Sequence, residues 1–405
     1  MDFEDSPEEA RFRAEAQKWL AEQALQYDLG TFEQLSFEEQ LALGRKFQLS
    51  KSQSGYAKVT WPRELGGRDG TAMEAVIYDQ EELKYNFPTV FFGISLGMPI
   101  PVMRRFATEE QKARYIPPAL RGEEIWCQLF SEPAAGSDLG GIRLKADRDG
   151  DDWVLNGQKI WTSFAHISDY GVIVTRSDPT VPKHRGMTYF FLDMKSPGIE
   201  IRQIIQASGG DEFCEVFFND VRVPDSQRLG EINGGWQVAI ATLMEERFAV
   251  SGAAGGGPSL LDTMRFLRDT VGAGPNGLDD PIVRDKLAEW YCLEAGVENF
   301  YSRALTGLSR GNLPGPEGAL SKLIIAKKLQ TQSAAVMDFA GPASVVYPEG
   351  KPPSRANDYR IAWLEGAGYR IAGGTDEILR NTLAEHVLGL PGDIRVDKDI
   401  PFNEL

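Results

Sequence analysis

The sequence predicts an α+β chain in three consecutive parts: an N-terminal helical domain over residues 1–125, a central antiparallel β domain over 126–232 and a C-terminal helical domain over 233–405. Three observations carry this reading. Apolar residues recur at helical spacing until about Gly122, the period changes to two from Ile125, and helical spacing returns after Gly235. Helices, then strands, then helices suit a layered α+β chain better than a doubly wound sheet. No GxGxxG follows a strand candidate, so a Rossmann nucleotide site is not supported. With 405 residues and 42% hydrophobic content, the chain can bury a sizeable core divided among two or three domains.

Charge and composition narrow the function. A net charge of −16 argues against a nucleic-acid or anionic-membrane surface. The three cysteines, Cys127, Cys214 and Cys292, are widely spaced and the three histidines are scattered. This fits a reducing compartment and gives no metal site and no disulfide framework. The opening MDFEDSPEEA is acidic, lacks an apolar run and does not read as a signal peptide. No apolar stretch is long enough to span a bilayer, so the expected location is cytoplasmic.

Taken in order, Ser6-Pro7-Glu8-Glu9 is a capping box with proline at the first helical position. Phe12, Ala16, Trp19 and Leu20 continue it at helical spacing. Ser36-Phe37-Glu38-Glu39 caps a second helix, a third runs from about Thr71 to Tyr85, and Thr108-Glu109-Glu110-Gln111 caps one more. In the middle part, Asp149-Gly150 and Asn156-Gly157 read as hairpin turns flanking Trp153–Leu155. Further strands are expected at Tyr170–Thr175, Thr188–Asp193, Ile199–Ile204 and Val216–Val223. The last part offers helices at 235–254, 258–270, 281–309, 316–341 and 375–388.

The helix opening at Gly235 carries an unusual cluster. Trp236, Val238, Ala239, Ile240, Leu243, Met244, Phe248 and Val250 leave almost no polar face, which predicts burial all round. Glu245, Glu246 and Arg247 interrupt it in succession. Charges there are costly unless paired or used, and helical neighbours do not face each other. Periodicity alone does not separate Glu245 from Glu246, or a structural ion cluster from a catalytic carboxylate.

Three further blocks decide the family. They are Gln128-Leu-Phe-Ser-Glu-Pro-Ala-Ala-Gly-Ser-Asp138, Asn156-Gly-Gln-Lys-Ile-Trp-Thr-Ser163, and Ile371-Ala-Gly-Gly-Thr-Asp-Glu-Ile-Leu-Arg-Asn381 with Glu385-His386-Val387-Leu388-Gly389. Together, in this order, they resemble the acyl-CoA dehydrogenase family from about Ser6 to Pro391. The resemblance implies an N-terminal helical domain, a central β domain and a four-helix C-terminal domain, commonly in homotetramers. It also implies FAD as cofactor and an acyl-CoA thioester as substrate. A glutamate takes the α-proton, and the β-hydride passes to flavin N5.

The resemblance further assigns roles by position. Gln128, Phe130 and Ser131 would meet the flavin's polar edge. Trp161 would lie near its ring, with Thr162 and Ser163 near N5, although a β-domain core position is an equally ordinary fate for Trp161. Thr375 and Glu377 match FAD contacts, and Thr375 reads as a helix N-cap whose exposed N–H groups suit a pyrophosphate. Ser137 matches an acyl-CoA contact. Many members carry the base directly before the Gly-Thr of the third block, where this chain has Gly373. Isovaleryl-CoA and long-chain members place it on a central helix before an arginine, which Glu246-Arg247 matches. That match implies Glu246 as base and Arg247 on the substrate side. Apolar surroundings would raise the base's pKa toward working pH, and the Gly373 N–H and the ribityl 2′-hydroxyl would support the enolate oxygen.

Two departures concern the cofactor's far end. The family's Arg-x-Thr-Phe-Gly segment has no clear counterpart in Leu267–Gly277, and a Gln-Gly-Gly pattern is altered to Met337–Gly341. The expected partners are an electron-transfer flavoprotein or similar acceptor and further subunits, in a homotetramer or a mixed tetramer. An oxidase or monooxygenase of the same fold, and a non-catalytic partner subunit, are the alternatives. The run Ser251–Gly257 leaves room for a branched or cyclic acyl group, or simply for close helix packing.

Overall fold

Ser6, Ser36 and Thr108 each begin a helix as their capping boxes predict, and Thr71 begins the third expected helix with a capping box of its own. Ser6 N–H donates to Glu9 Oε2 at 2.7 Å, and reciprocal caps open the helices that follow Ser36, Thr71 and Thr108. The computed structural model describes residues 5–27, 35–253, 258–272, 274, 277–309, 315–344 and 355–405, without the side chains of 246–253, 308–309, 343 and 355–358. Its first part holds α1 (Pro7–Tyr27), α2 (Phe37–Gln53), α3 (Ala72–Glu82), α4 (Gly93–Gly97), α5 (Pro99–Phe106) and α6 (Glu109–Leu120). The two short helices α4 and α5 add to the expected set. Pro99 and Pro101 mask α5 in the sequence, yet both lie in its first turn, where no backbone donor is needed. Phe12, Ala16 and Leu20 of α1 enter a core with Phe47, Tyr56, Ile77, Tyr78 and Phe87. Stacked rings join it, Phe47 on Phe87 at 4.3 Å and Tyr56 on Tyr78 at 4.5 Å.

The middle part forms a seven-stranded sheet: β1 (Trp126–Leu129), β2 (Lys145–Asp149), β3 (Asp152–Ser163), β4 (Tyr170–Arg176), β5 (Met187–Asp193), β6 (Ile199–Ile204) and β7 (Phe213–Pro224). The path is β1-β4-β2-β3-β7-β6, with β5 on β4. Pairing is mostly antiparallel, and β4 adds parallel contacts to β1 and β2. The period of two sorts the side chains of β4 and β5 between two cores. Val172, Val174, Met187, Tyr189 and Phe191 meet Ile100, Met103, Ile116 and Leu120 of the helices. Ile173, Phe190 and Leu192 meet Leu155, Val216, Phe218 and Val221.

One expected turn is not a turn. β3 runs through Asn156-Gly157 without reversing, and its pairing with β7 slips between Leu155 and Gly157. Gly157 has φ +146°, and a Cβ there would come within 2.9 Å of Leu144 Cα. The dipeptide therefore makes a bulge against a neighbouring backbone.

The last part holds α7 (Gly235–Ala253), α8 (Leu260–Val271), α9 (Pro281–Ser309), α10 (Ala319–Ala340), α11 (Arg355–Tyr369) and α12 (Asp376–His386). Val238 and Ala239 of α7 join the helix-side core of the sheet, and Thr242 Oγ1 bonds Tyr189 Oη at 3.0 Å. The expectation of burial all round is corrected: Ile240 is 39% and Met244 51% exposed. Phe266, Leu267, Val283, Leu287, Trp290, Val336, Ala340 and Tyr359 form one core from α8, α9, α10 and α11, a four-helix arrangement. The sequence hid α11 because Gly366 and Gly368 dilute its periodicity; a Cβ on Gly366 would sit 3.1 Å from Gln330 Cβ of α10, so the glycine admits close helix packing. The chain divides into two compact units. One takes in the described part of 5–205 with 211–249 and 394–405, the other 206–210 and the described part of 250–393.

Gly157→Ala is expected to lower stability by about 1–3 kcal/mol, through strained backbone and contact with Leu144. A fall in the calorimetric unfolding temperature, with an unchanged far-ultraviolet spectrum, checks it.

Candidate functional site

A lysine on the inward phase of a strand needs a buried anion. Trp153, Leu155 and Lys159 alternate toward the interior of β3, and Lys159 is completely buried. Its Nζ donates to Glu132 Oε1 at 2.8 Å and to Phe130 O at 2.9 Å. Glu132 accepts in addition from Arg143 N–H at 2.6 Å and Leu144 N–H at 3.0 Å. Burial pushes the Lys159 ammonium down from its ordinary pKa, and Glu132 opposes that shift. The pair fastens the loop after β1 to β3, and so fastens the first sequence block to the second. Ile160 N–H adds a bond to Ser131 O at 2.9 Å.

Just beyond this anchor the strand is distorted. Trp161 has φ +59°, and the β3–β7 register slips again between Lys159 and Thr162. Simple alternation would put Trp161 on the same side as Lys159. The left-handed residue turns it out instead, leaving its ring 53% exposed, with Phe213 edge-on at 5.9 Å. The core reading of Trp161 is therefore overturned. Thr162 takes the buried position, and its Oγ1 has no hydrogen-bond partner among the described residues. Gln128 Oε1 on β1 is likewise buried without a partner. Buried polar atoms are normally satisfied, so each of these two could be met by a polar group of a ligand. Phe130 is buried edge-on to Tyr189 at 5.9 Å. Ser131 and Ser163 are half-buried and Ser137 is exposed. An exposed aromatic face beside an unsatisfied buried hydroxyl fits a planar heteroaromatic cofactor with polar edges.

On α7 the helix backbone passes through Glu246 and Arg247, whose side chains lie outside the described residues. Residues 254–257, within the small-residue run, also lie outside them. Glu245 is half-buried. Lys58, pushed down from its ordinary pKa by burial, is drawn back by the charges of Asp79 and then Glu245. Burial raises Asp79 to about 6.

The third block is described within the other unit. Gly373 and Gly374 have φ +65° and +89°, a left-handed pair that leads into α12. Thr375 is its N-cap, as expected, accepting from Ile378 N–H at 3.2 Å. Lys322 Nζ donates to Gly374 O at 2.6 Å. Asp376 is buried and engages Arg370 at 2.6 Å. Glu377 points away, 75% exposed and 3.9 Å from Arg380.

Sequence reasoning missed Glu132, Lys159 and Arg176, which stand within or beside the sequence blocks. Lys159 was findable, because a charge in phase with Trp153 and Leu155 requires a buried partner. Arg176 closes β4 and is 3% exposed; burial lowers its pKa to about 10, against the charge of Glu132. No group of side chains among the described residues is suited to hold a metal, and none of the described helices is long and apolar enough to cross a membrane.

Comparison with known proteins matches three family models in chain order: acyl-CoA dehydrogenase N-terminal domain over 6–123, middle domain over 127–221 and C-terminal domain over 233–388. The chain is 32% identical to the acyl-CoA dehydrogenase IpdE1 of Mycobacterium tuberculosis, covering 95% of this chain and 98% of that protein. It is 35% identical to the acyl-CoA dehydrogenase FadE34 of the same organism over 85% of this chain, but spans only 46% of that relative's length. Among solved structures it resembles the ChsE4–ChsE5 complex from M. tuberculosis, with TM-score 0.77, 25% identity, and 97% and 100% of the two chains covered.

Lys159→Met is expected to cost about 3–5 kcal/mol by stranding a buried carboxylate. Adding Glu132→Gln should recover part of the loss. The urea midpoints of the single and double variants check it.

Proposed function

The chain belongs to the acyl-CoA dehydrogenase family, and from that premise we propose that it uses FAD to convert an acyl-CoA thioester to the trans-2-enoyl-CoA, with Glu246 as the base. It is an oxidoreductase acting on CH–CH donors and a flavoprotein. The observation that carries the cofactor assignment is the orphaned buried hydroxyl of Thr162 next to the exposed Trp161, with Gln128 Oε1 a second unpartnered buried atom in the first sequence block. FAD supplies, when bound, the N5 acceptor for the β-hydride. Trp161 would face the ring, Thr162 and Ser163 would bond its N5 edge, and Gln128, Ser131 and the backbone of Phe130 would bond the opposite polar edge. Thr375 stands at a helix start suited to the pyrophosphate. Glu377 is too exposed to be assigned more than a ribose contact.

The base follows by elimination and by the family match. Gly373 has no side chain, while Glu246-Arg247 stands where other members carry their base. The Glu246 carboxylate takes the α-proton as the double bond forms. The Gly373 N–H has no acceptor among the described residues, which supports its use as donor to the developing enolate oxygen. Ser137 and Arg247 bind the acyl-CoA. The matched family segments support domains of 1–125, 126–232 and 233–405. The ChsE4–ChsE5 complex supports a mixed tetramer beside the homotetramer. A flavoprotein of the electron-transfer type is the proposed acceptor. Three free thiols support a reducing, cytoplasmic compartment.

Glu246→Gln is expected to retain yellow, bound flavin and to slow its reduction by acyl-CoA about a hundredfold or more. Stopped-flow reduction at the wild-type rate would sink the assignment and favour a partner subunit as the source of catalysis. Thr162→Val tests the cofactor contact separately. The apoprotein should be no less stable, because the hydroxyl is unpaired there, while flavin affinity falls about tenfold. Flavin fluorescence titration of the apoprotein measures it.

A further inference from the structure

Residues 394–405 pack on the compact unit that carries the Glu132 loop. They bury little: Ile394 is 93% and Val396 83% exposed. Their contacts are nevertheless specific. Phe402 N–H donates to Val181 O at 3.0 Å, and Asn403 N–H to Pro179 O at 2.9 Å. The Phe402 ring lies 3.9 Å from the Arg176 guanidinium and 5.6 Å from that of Arg143. Asp397 pairs with Lys183 at 2.6 Å.

What Phe402 and Asp397 hold is the loop that bears Ser137. Arg176 donates from Nη2 to Gly140 O at 2.5 Å, from Nε to Ile142 O at 3.4 Å and from Nη1 to Lys183 O at 2.6 Å. Lys183 Nζ also pairs with Asp138 at 2.9 Å. The segment therefore grips both ends of the stretch 138–142, at Asp138 through Lys183 and at Gly140 and Ile142 through Arg176. On its other side the loop has no slack. A Cβ on Gly140 would come within 2.8 Å of His184 Nε2, and the His184 ring rests on Trp236 of α7 at 4.4 Å. A guanidinium this far removed from water depends on what replaces the water, and an aromatic face is one such replacement. So little apolar burial makes core stabilisation a poor account of the segment, whereas its ring and carboxylate contacts converge, through Arg176 and Lys183, on the fastening of one loop.

We propose that Phe402 and Asp397 are positioning residues for acyl-CoA binding: they hold the Ser137 loop, through Arg176 and Lys183, in the form that receives the thioester's arm. The proposal rests on the reading of Ser137 as an acyl-CoA contact. Neither residue takes part in proton or hydride transfer, so their loss acts on binding and not on the chemical step.

The test uses flavin-loaded enzyme carrying Phe402→Ala, Asp397→Asn or the conservative Phe402→Trp. Two quantities are measured: hydrogen–deuterium exchange over 133–143, and kcat and KM for an acyl-CoA that reduces the flavin. Phe402→Ala is expected to speed exchange there and raise KM roughly three- to thirtyfold, the span of cation–π strengths from exposed to desolvated settings. Flavin content and kcat should not change. Asp397→Asn should act in the same direction, and Phe402→Trp should restore both readings. Unchanged exchange in Phe402→Ala overturns the positioning role whatever KM does. Faster exchange with unchanged KM overturns it differently, by showing that the loop does not serve acyl-CoA. Joint loss of kcat and bound flavin would show a general structural role and overturn it as well.

Discussion

The buried Lys159–Glu132 pair is the constraint on which the candidate site depends. Removing two charges from water is expensive, and mutual attraction repays the cost only if the remaining donors and acceptors are also satisfied. Here they are: Phe130 O takes a second proton of the ammonium, and two successive backbone N–H groups meet the carboxylate. The pair thus does more than bind strand to loop. It makes the backbone of 130–132 and 143–144 part of one polar cage, leaving little freedom to either block. Hydrophobic residues of equal volume would hold the strand as well, but would not dictate where the loop's carbonyls and amides sit.

From that anchor the distortion of β3 acquires a purpose. A regular strand would bury Trp161 and expose Thr162. The left-handed residue exchanges them, presenting an indole face and placing an unpaired hydroxyl inside. Each departure costs free energy, one as backbone strain and the other as an unsatisfied polar group. Strain and unmet hydrogen bonding at adjacent residues are what a preorganised ligand site looks like before its ligand is counted.

Much of the fold was legible. The capping boxes at Ser6, Ser36 and Thr108 mark helix starts because side chain and backbone satisfy each other locally, with no reference to the rest of the chain. Strands β4 to β7 were legible because turn residues separate them. What failed was decided by distant contacts. Asn156-Gly157 carries a turn signature, yet pairing with β7 and the nearness of Leu144 make it a bulge. Helix α11 is stabilised by its fit to α10, which its own glycines conceal. At the site, residue types and blocks were readable, but the outward turn of Trp161 was not. It depends on a register slip that no local pattern encodes. Lys159 is the instructive omission, since strand phase alone demanded a buried anion and Glu132 lay in the neighbouring block.

The start of α12 shows how the same chain deals with charge where an anion is expected. Acidic residues in a first turn ordinarily favour the helix, but they would compete with a phosphate for its exposed N–H groups. Asp376 does not compete freely, since Arg370 holds it at 2.6 Å and it is buried. Glu377 stands out in solvent, where screening weakens its field. The left-handed Gly373-Gly374 pair then brings backbone into the helix start with no side chain in the way. Taken alone, Gly373 looks like the loss of a catalytic group. Beside a helix start cleared of competing charge it reads differently, as backbone kept open for donors, which suits the proposal that Glu246 of another helix accepts the proton.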